Sequence, residues 1–139
     1  CIQLSPFIRE TELGIHGTYY FRMVPECFDD DVIRQIDELG HEVRYHYEDL
    51  SMMAAKSVRR GAVWRRAQGR KELQGQLVSE SFTSFKRNLE ILHQIVPIET
   101  ICMHGSPLSR WDNRLVWQNI KNAGKRVVVK AGSKMLEAL

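Results

Sequence analysis

Residues 28–49 read FDDDVIRQIDELGHEVRYHYED, and this stretch decides the fold. Phe28, Val32, Ile36 and Leu39 recur at spacings of four, four and three, one apolar face of a helix over 28–39. Asp29, Asp30 and Asp31 stand at its start, where a helix terminus attracts negative charge. Gly40 is placed to end it. The period then drops to two. Val43, Tyr45 and Tyr47 alternate with polar neighbours, so residues 41–47 read as a strand.

Just upstream, Thr18, Tyr19, Tyr20 and Phe21 are β-branched or aromatic and predict a strand within 15–21. Strand, helix, glycine, strand is a βαβ unit, which implies a parallel sheet. Before it, Pro6 starts a turn or two of helix over 7–13, closed by Gly14. Downstream, Phe82, Phe85, Leu89, Leu92 and Val96 recur at three, four, three and four residues. That predicts a helix from Ser79 to just before Pro97. Thr100-Ile101-Cys102-Met103 reads as a short strand and residues 111–120 as a helix with Asp112 near its start. Val127-Val128-Val129 reads as a last strand, and 131–139 as a tail or short helix. Residues 51–78 lack a clean apolar stripe and carry Gly61, Gly69 and Gly75. They read as a variable basic insert, either a loose helix or a loop.

At 139 residues the chain is expected to form a single domain with one core. An apolar fraction of 43% with 27% charged residues excludes wholesale disorder and collagen-like structure. No apolar run is long enough for a membrane span. Residues 1–6 lack a starting Met and the pattern of a signal peptide, so a processed product or a fragment is expected. The net charge of +3 hides an asymmetry. Residues 1–55 carry 4 basic and 11 acidic side chains, whereas 56–71 carry seven cations and no acid. The basicity therefore sits in one short segment, which argues against nucleic acid as the main partner. Three cysteines, Cys1, Cys27 and Cys102, with no CxxC pair, argue against a disulfide scaffold or zinc knuckle. Reduced cysteines lean the reading toward the cytoplasm.

In parallel α/β folds, ligands sit beyond the C-terminal ends of the strands. His46 and Glu48 lie at such an end, followed by Asp49, and imidazole with carboxylate is a donor set for zinc or another divalent metal. The alternative is a surface histidine beside solvated acids. His104 opens a Gly-Ser-Pro turn after the 100–103 strand, as a general acid, a ligand or simply a turn residue. His41 lies at the wrong end of its strand for chemistry and reads as structural. Arg110, Trp111 and Asp112, with Asn113 and Arg114, either bind a sugar or anion, or cap a helix and pair on the surface. Tyr19, Tyr20 and Phe21 read as core and sheet-face residues rather than a ligand platform. Ser106 lacks a nucleophile-elbow context, and no phosphate loop or dinucleotide fingerprint is present.

Gly14-Ile15-His16-Gly17-Thr18-Tyr19-Tyr20-Phe21, a helix, then Gly40-His41-Glu42-Val43-Arg44-Tyr45-His46 resembles the polysaccharide deacetylase family (NodB homology, carbohydrate esterase family 4). Ile101-Cys102-Met103-His104-Gly105-Ser106-Pro107 resembles that family's next strand in a divergent branch. The resemblance covers residues 13–50 and 79–117. It implies a partial or distorted (β/α) barrel with mostly parallel strands, incomplete over 1–139. It further implies metal-dependent removal of acetyl groups from a carbohydrate. His46 matches the family's first metal histidine; the position of the second, four residues on, is Leu50. The set expected from residues and resemblance together is therefore His46 and Glu48 for a divalent metal, zinc first. His104 and Asp49 are expected in catalysis, and Arg110, Trp111 and Asp112 on an acetylated carbohydrate. The open alternative is a catalytically inactive carbohydrate-binding or protein-interaction domain. Exposed edges of an incomplete barrel would favour a homo-oligomer.

Overall fold

A computed structural model describes residues 5–59, 70–105, 111–118, 129–130 and 133–135. The order is helix α1 (Ser5–Glu12), strand β1 (Thr18–Phe21), helix α2 (Asp30–Glu38), strand β2 (Glu42–Tyr47), then helices α3 (Asp49–Arg59) and α4 (Arg70–Ile95). Strand β3 (Thr100–Met103), a 3-10 helix (Asn113–Trp117) and the short strands β4 (Val129–Lys130) and β5 (Ser133–Met135) follow.

The expected βαβ unit is present. Asp29 caps α2, its Oδ1 accepting the Val32 N–H at 3.2 Å. Gly40 follows the helix at φ 82°, a backbone conformation that costs a residue with a Cβ. β2 then pairs in parallel with β1 on one side and β3 on the other. β5 lies antiparallel beside β3, with β4 outside it. The described residues thus form a mixed α/β fold around an open sheet, three of whose strands are parallel. No helix among them is long and apolar enough to cross a membrane.

Alternation along β2 separates two faces. Phe21, Val43, Tyr45, Tyr47 and Ile101 point into the main core, where they meet Val32, Ile33 and Ile36 of α2 and Phe85, Leu89 and Leu92 of α4. Phe85 is fully buried, its ring 5.5 Å from Tyr45, 5.5 Å from Tyr47 and 5.1 Å from Trp117, centroid to centroid. The indole of Trp117 donates to the Tyr47 hydroxyl at 2.8 Å, which satisfies both groups inside the core. The opposite face carries Thr18, Tyr20, Glu42, Arg44, His46, Thr100 and Cys102, all exposed or half-buried.

Several sequence expectations need correction. Asp49–Arg59 is a helix, and α4 starts at Arg70 rather than Ser79, running through Gly75. Tertiary packing overrides the weak local pattern. Leu50 and Ala54 of α3 bury against Leu77 and Val78 of α4 in a second core, so both ends of the supposed insert are packed structure. Of the basic segment 56–71, residues 60–69 lie outside the described residues. The expected helix over 111–120 is a 3-10 helix over Asn113–Trp117. Residues 133–135, read as tail or helix, form an antiparallel strand, so the final pairing departs from the parallel pattern.

Two substitutions test this packing. Phe85→Ala should cost about 3–5 kcal/mol in urea unfolding, whereas Thr83→Ala on the exposed side of α4 should stay within about 0.5 kcal/mol. Gly40→Ala should cost about 1–2 kcal/mol through backbone strain, since a Cβ there would meet the His16 ring only at ordinary contact distance, 3.6 Å. Equal losses at positions 83 and 85 would contradict the placement of α4.

Candidate functional site

The polar face of the sheet is built by even-numbered residues, and this parity assembles the site. Thr18 and Tyr20 stand on β1, Glu42, Arg44 and His46 on β2, and Thr100 and Cys102 on β3, with Arg22, Glu48 and His104 the first residues past the three strand ends. At the C-terminal ends of these parallel strands, His46, Glu48, His104 and Arg22 come together. The His46 and His104 rings lie 4.8 Å apart in an edge-on contact. Glu48 is buried; its Oε1 accepts from Arg22 Nε at 2.7 Å and its Oε2 lies 3.9 Å from His104 Nε2. The sequence signal brought His46, Glu48 and His104 forward correctly as neighbours. It did not find Arg22, whose partner is 26 residues away.

His104 is fixed through its backbone. Its N–H donates to the Tyr47 carbonyl at 2.8 Å, extending the strand pairing past β3. Its carbonyl accepts from Asn113 Nδ2 at 3.0 Å, while Asn113 Oδ1 accepts the Ser51 N–H at 3.0 Å. Buried Asn113 therefore ties the end of β3 to the first turn of α3, a positioning role that the sequence reading left unassigned.

His46 has a buried Nδ1 without a hydrogen-bond partner. Leaving a buried polar atom unpaired costs about 1–3 kcal/mol. Burial first, and then the neighbouring His104 imidazole, hold the His46 ring below the ordinary histidine value of 6.5. It is thus neutral at pH 7 and available as an acceptor.

The other expected residues fall elsewhere. Asp49 opens α3 and turns into the core. It accepts from the Tyr45 hydroxyl at 2.6 Å, Ser84 Oγ at 2.8 Å and Asn88 Nδ2 at 2.8 Å. Its polar contacts thus join β2 to α4 rather than meeting His104. Burial raises its pKa, opposed by those hydrogen bonds. Asp112 caps the 3-10 helix and pairs with Arg114 at 2.7 Å, as its structural alternative has it. Trp111 packs against the second core. Arg110 lies outside the described residues. His41 is structural as expected: its Nδ1 accepts the Gly17 N–H at 3.0 Å and its Nε2–H donates to the Phe7 carbonyl at 3.0 Å.

Zinc takes three or four protein donors. Among the described residues no group of three or more His, Cys, Asp or Glu side chains is placed to hold a metal. Glu48 gives one oxygen to Arg22, which leaves two imidazoles and half a carboxylate. The described residues alone do not fit the expected metal. What they provide is a neutral imidazole, a second imidazole in contact with it, and a buried carboxylate able to stabilise positive charge on that second ring. This is equipment for moving a proton.

Compared with protein-family models, with curated proteins and with solved structures, the chain matches none.

The buried Asp49 has a pH signature. Its folded-state pKa lies above the ordinary 3.8, so the folded chain holds this proton more tightly than the unfolded one. The resulting stability is present below 3.8 and is lost as pH rises through the raised value. In urea unfolding, the advantage of wild type over Asp49→Asn should therefore be larger at about pH 4 than at about pH 7. The same difference at both values would contradict the buried placement.

Proposed function

We propose that this chain is a hydrolase domain of the polysaccharide deacetylase kind that removes acetyl groups from a carbohydrate, with its reaction centre at His46, Glu48 and His104. The carrying observation is the convergence of those three side chains at the C-terminal ends of adjacent parallel strands. In the same reading, β1, β2 and β3 are the described part of a distorted (β/α) barrel.

The chemistry needs a proton moved twice. Water loses a proton as its oxygen attacks the acetyl carbonyl, and the leaving amine or hydroxyl gains one as the carbon–nitrogen or carbon–oxygen bond breaks. His104 is the candidate for both transfers, since Glu48 lies 3.9 Å away to balance the imidazolium that forms in between. The neutral His46 ring lies against it and can hold a hydrogen bond from the attacking water or the substrate. No step is assigned to a metal, because the described residues do not complete a site for one.

A second reading is a carbohydrate-binding domain without turnover. The Arg22–Glu48 pair favours it, because a carboxylate already held by a guanidinium is a weaker proton partner for His104.

Acetate release from N-acetylglucosamine oligomers and from acetylated xylan separates the two. The hydrolase reading predicts release by wild type and a loss of about 10²–10⁴-fold in His104→Ala with an unchanged circular dichroism spectrum. Sugar binding with no acetate from wild type would favour the second reading. Release abolished by a chelator and restored by zinc would show that donors outside the described residues complete a metal site.

A further inference from the structure

The sequence reading grouped Tyr20 with Tyr19 and Phe21 as sheet-face and core residues, and the structure separates it from them. Phe21 is buried, and Tyr19 packs edge-on against Phe7 with its hydroxyl on Glu10. Tyr20 stands on the polar face and is 43% exposed. It is also held in place. Arg44 Nη1 donates to its hydroxyl at 3.0 Å, and the Arg44 guanidinium lies 5.7 Å from its ring centroid. Arg44 is in turn fixed by Glu42 at 2.6 Å, and Glu42 accepts from Thr18 at 2.9 Å and Thr100 at 3.3 Å. An exposed aromatic ring anchored by side chains from all three parallel strands loses little freedom on binding. Its other neighbour is His46, ring to ring at 5.7 Å, whose Nδ1 is the buried atom without a partner.

We propose that Tyr20 and Arg44 form a sugar-ring platform, on which a pyranose stacks so that its acetyl group reaches the His46–His104 pair. The proposal rests on the carbohydrate reading above and adds the group that positions the substrate. A pyranose presents apolar C–H bonds to an aromatic face and hydroxyls around its rim. Tyr20 supplies the apolar face, and Arg44 and Glu42 supply a donor and an acceptor beside it. The Arg44 charge is balanced by Glu42, and residues 1–55 carry an acidic excess of seven, so a neutral ring suits this surface better than a polyanion.

The test titrates tri-N-acetylchitotriose into wild type, Tyr20→Phe and Tyr20→Ala by calorimetry, beside acetate release with the same sugar. Binding should stay within about threefold in Tyr20→Phe and weaken about tenfold or more in Tyr20→Ala, with KM rising in step and kcat little changed. If the alanine variant does not fold, Tyr20→Val keeps strand propensity and takes its place. A folded Tyr20→Ala that binds as wild type does would overturn the platform and leave the hydrolase reading intact. A phenylalanine variant as weak as alanine would overturn stacking in favour of the hydroxyl. Binding that depends on the Tyr20 ring, with no acetate from any variant, would uphold the platform and remove the hydrolase reading. A wild type that neither binds nor cleaves the sugar would overturn both.

Discussion

Strand β2 has a parallel neighbour on each side, and its side chains alternate between an apolar and a polar environment. A slip of one residue would drive Arg44 and His46 into the core and expose Val43, Tyr45 and Tyr47. Burying an arginine without its partner and losing two buried tyrosines would each cost several kcal/mol, so the register is firmly set. The neighbouring strands inherit the same parity through the register Tyr20↔Arg44 and His46↔Cys102. What converges at the strand ends is therefore fixed by the core on the other side of the sheet.

The turn from β2 into α3 shows how sharply that constraint divides neighbours. Glu48 and Asp49 are adjacent and both buried, yet they serve different environments. Glu48 meets Arg22 and approaches His104, while Asp49 closes a network with Tyr45, Ser84 and Asn88. Asn113 then joins these layers, bonding the start of α3 and the His104 carbonyl together. His46 stands in β2 and His104 on the turn after β3, a turn tied back to a packed helix, which keeps a site in register.

Much of this was legible in the chain. The helical stripe of α2, its aspartate cap, Gly40 and the alternation in β2 are local signals that all agree, and the structure follows them. His46 and His104 were each legible as residues at strand ends; their ring contact comes from the pairing of β2 with β3. Non-local features were not legible. Helix α3 and the first turns of α4 depend on burying Leu50 and Ala54 against Leu77 and Val78, a contact no local pattern announces. Arg22 reads as a loop cation until its distant partner is known. Asp49 was expected beside His104, and its bonds to Tyr45, Ser84 and Asn88 depend on the packing of α4, which its sequence neighbours do not announce. Asp112 and Trp111 offered either a sugar contact or a structural role, and the structure shows Asp112 as a cap and Trp111 packed against the second core.

The account stands on His46 and His104 forming one electrostatic unit, and imidazole titration by NMR tests that without requiring turnover. His46 should titrate below the ordinary 6.5, and His104→Gln should move it upward, because the second imidazolium is one of the causes of the depression. A His46 that titrates at the same pH with and without His104 would contradict the site as assembled.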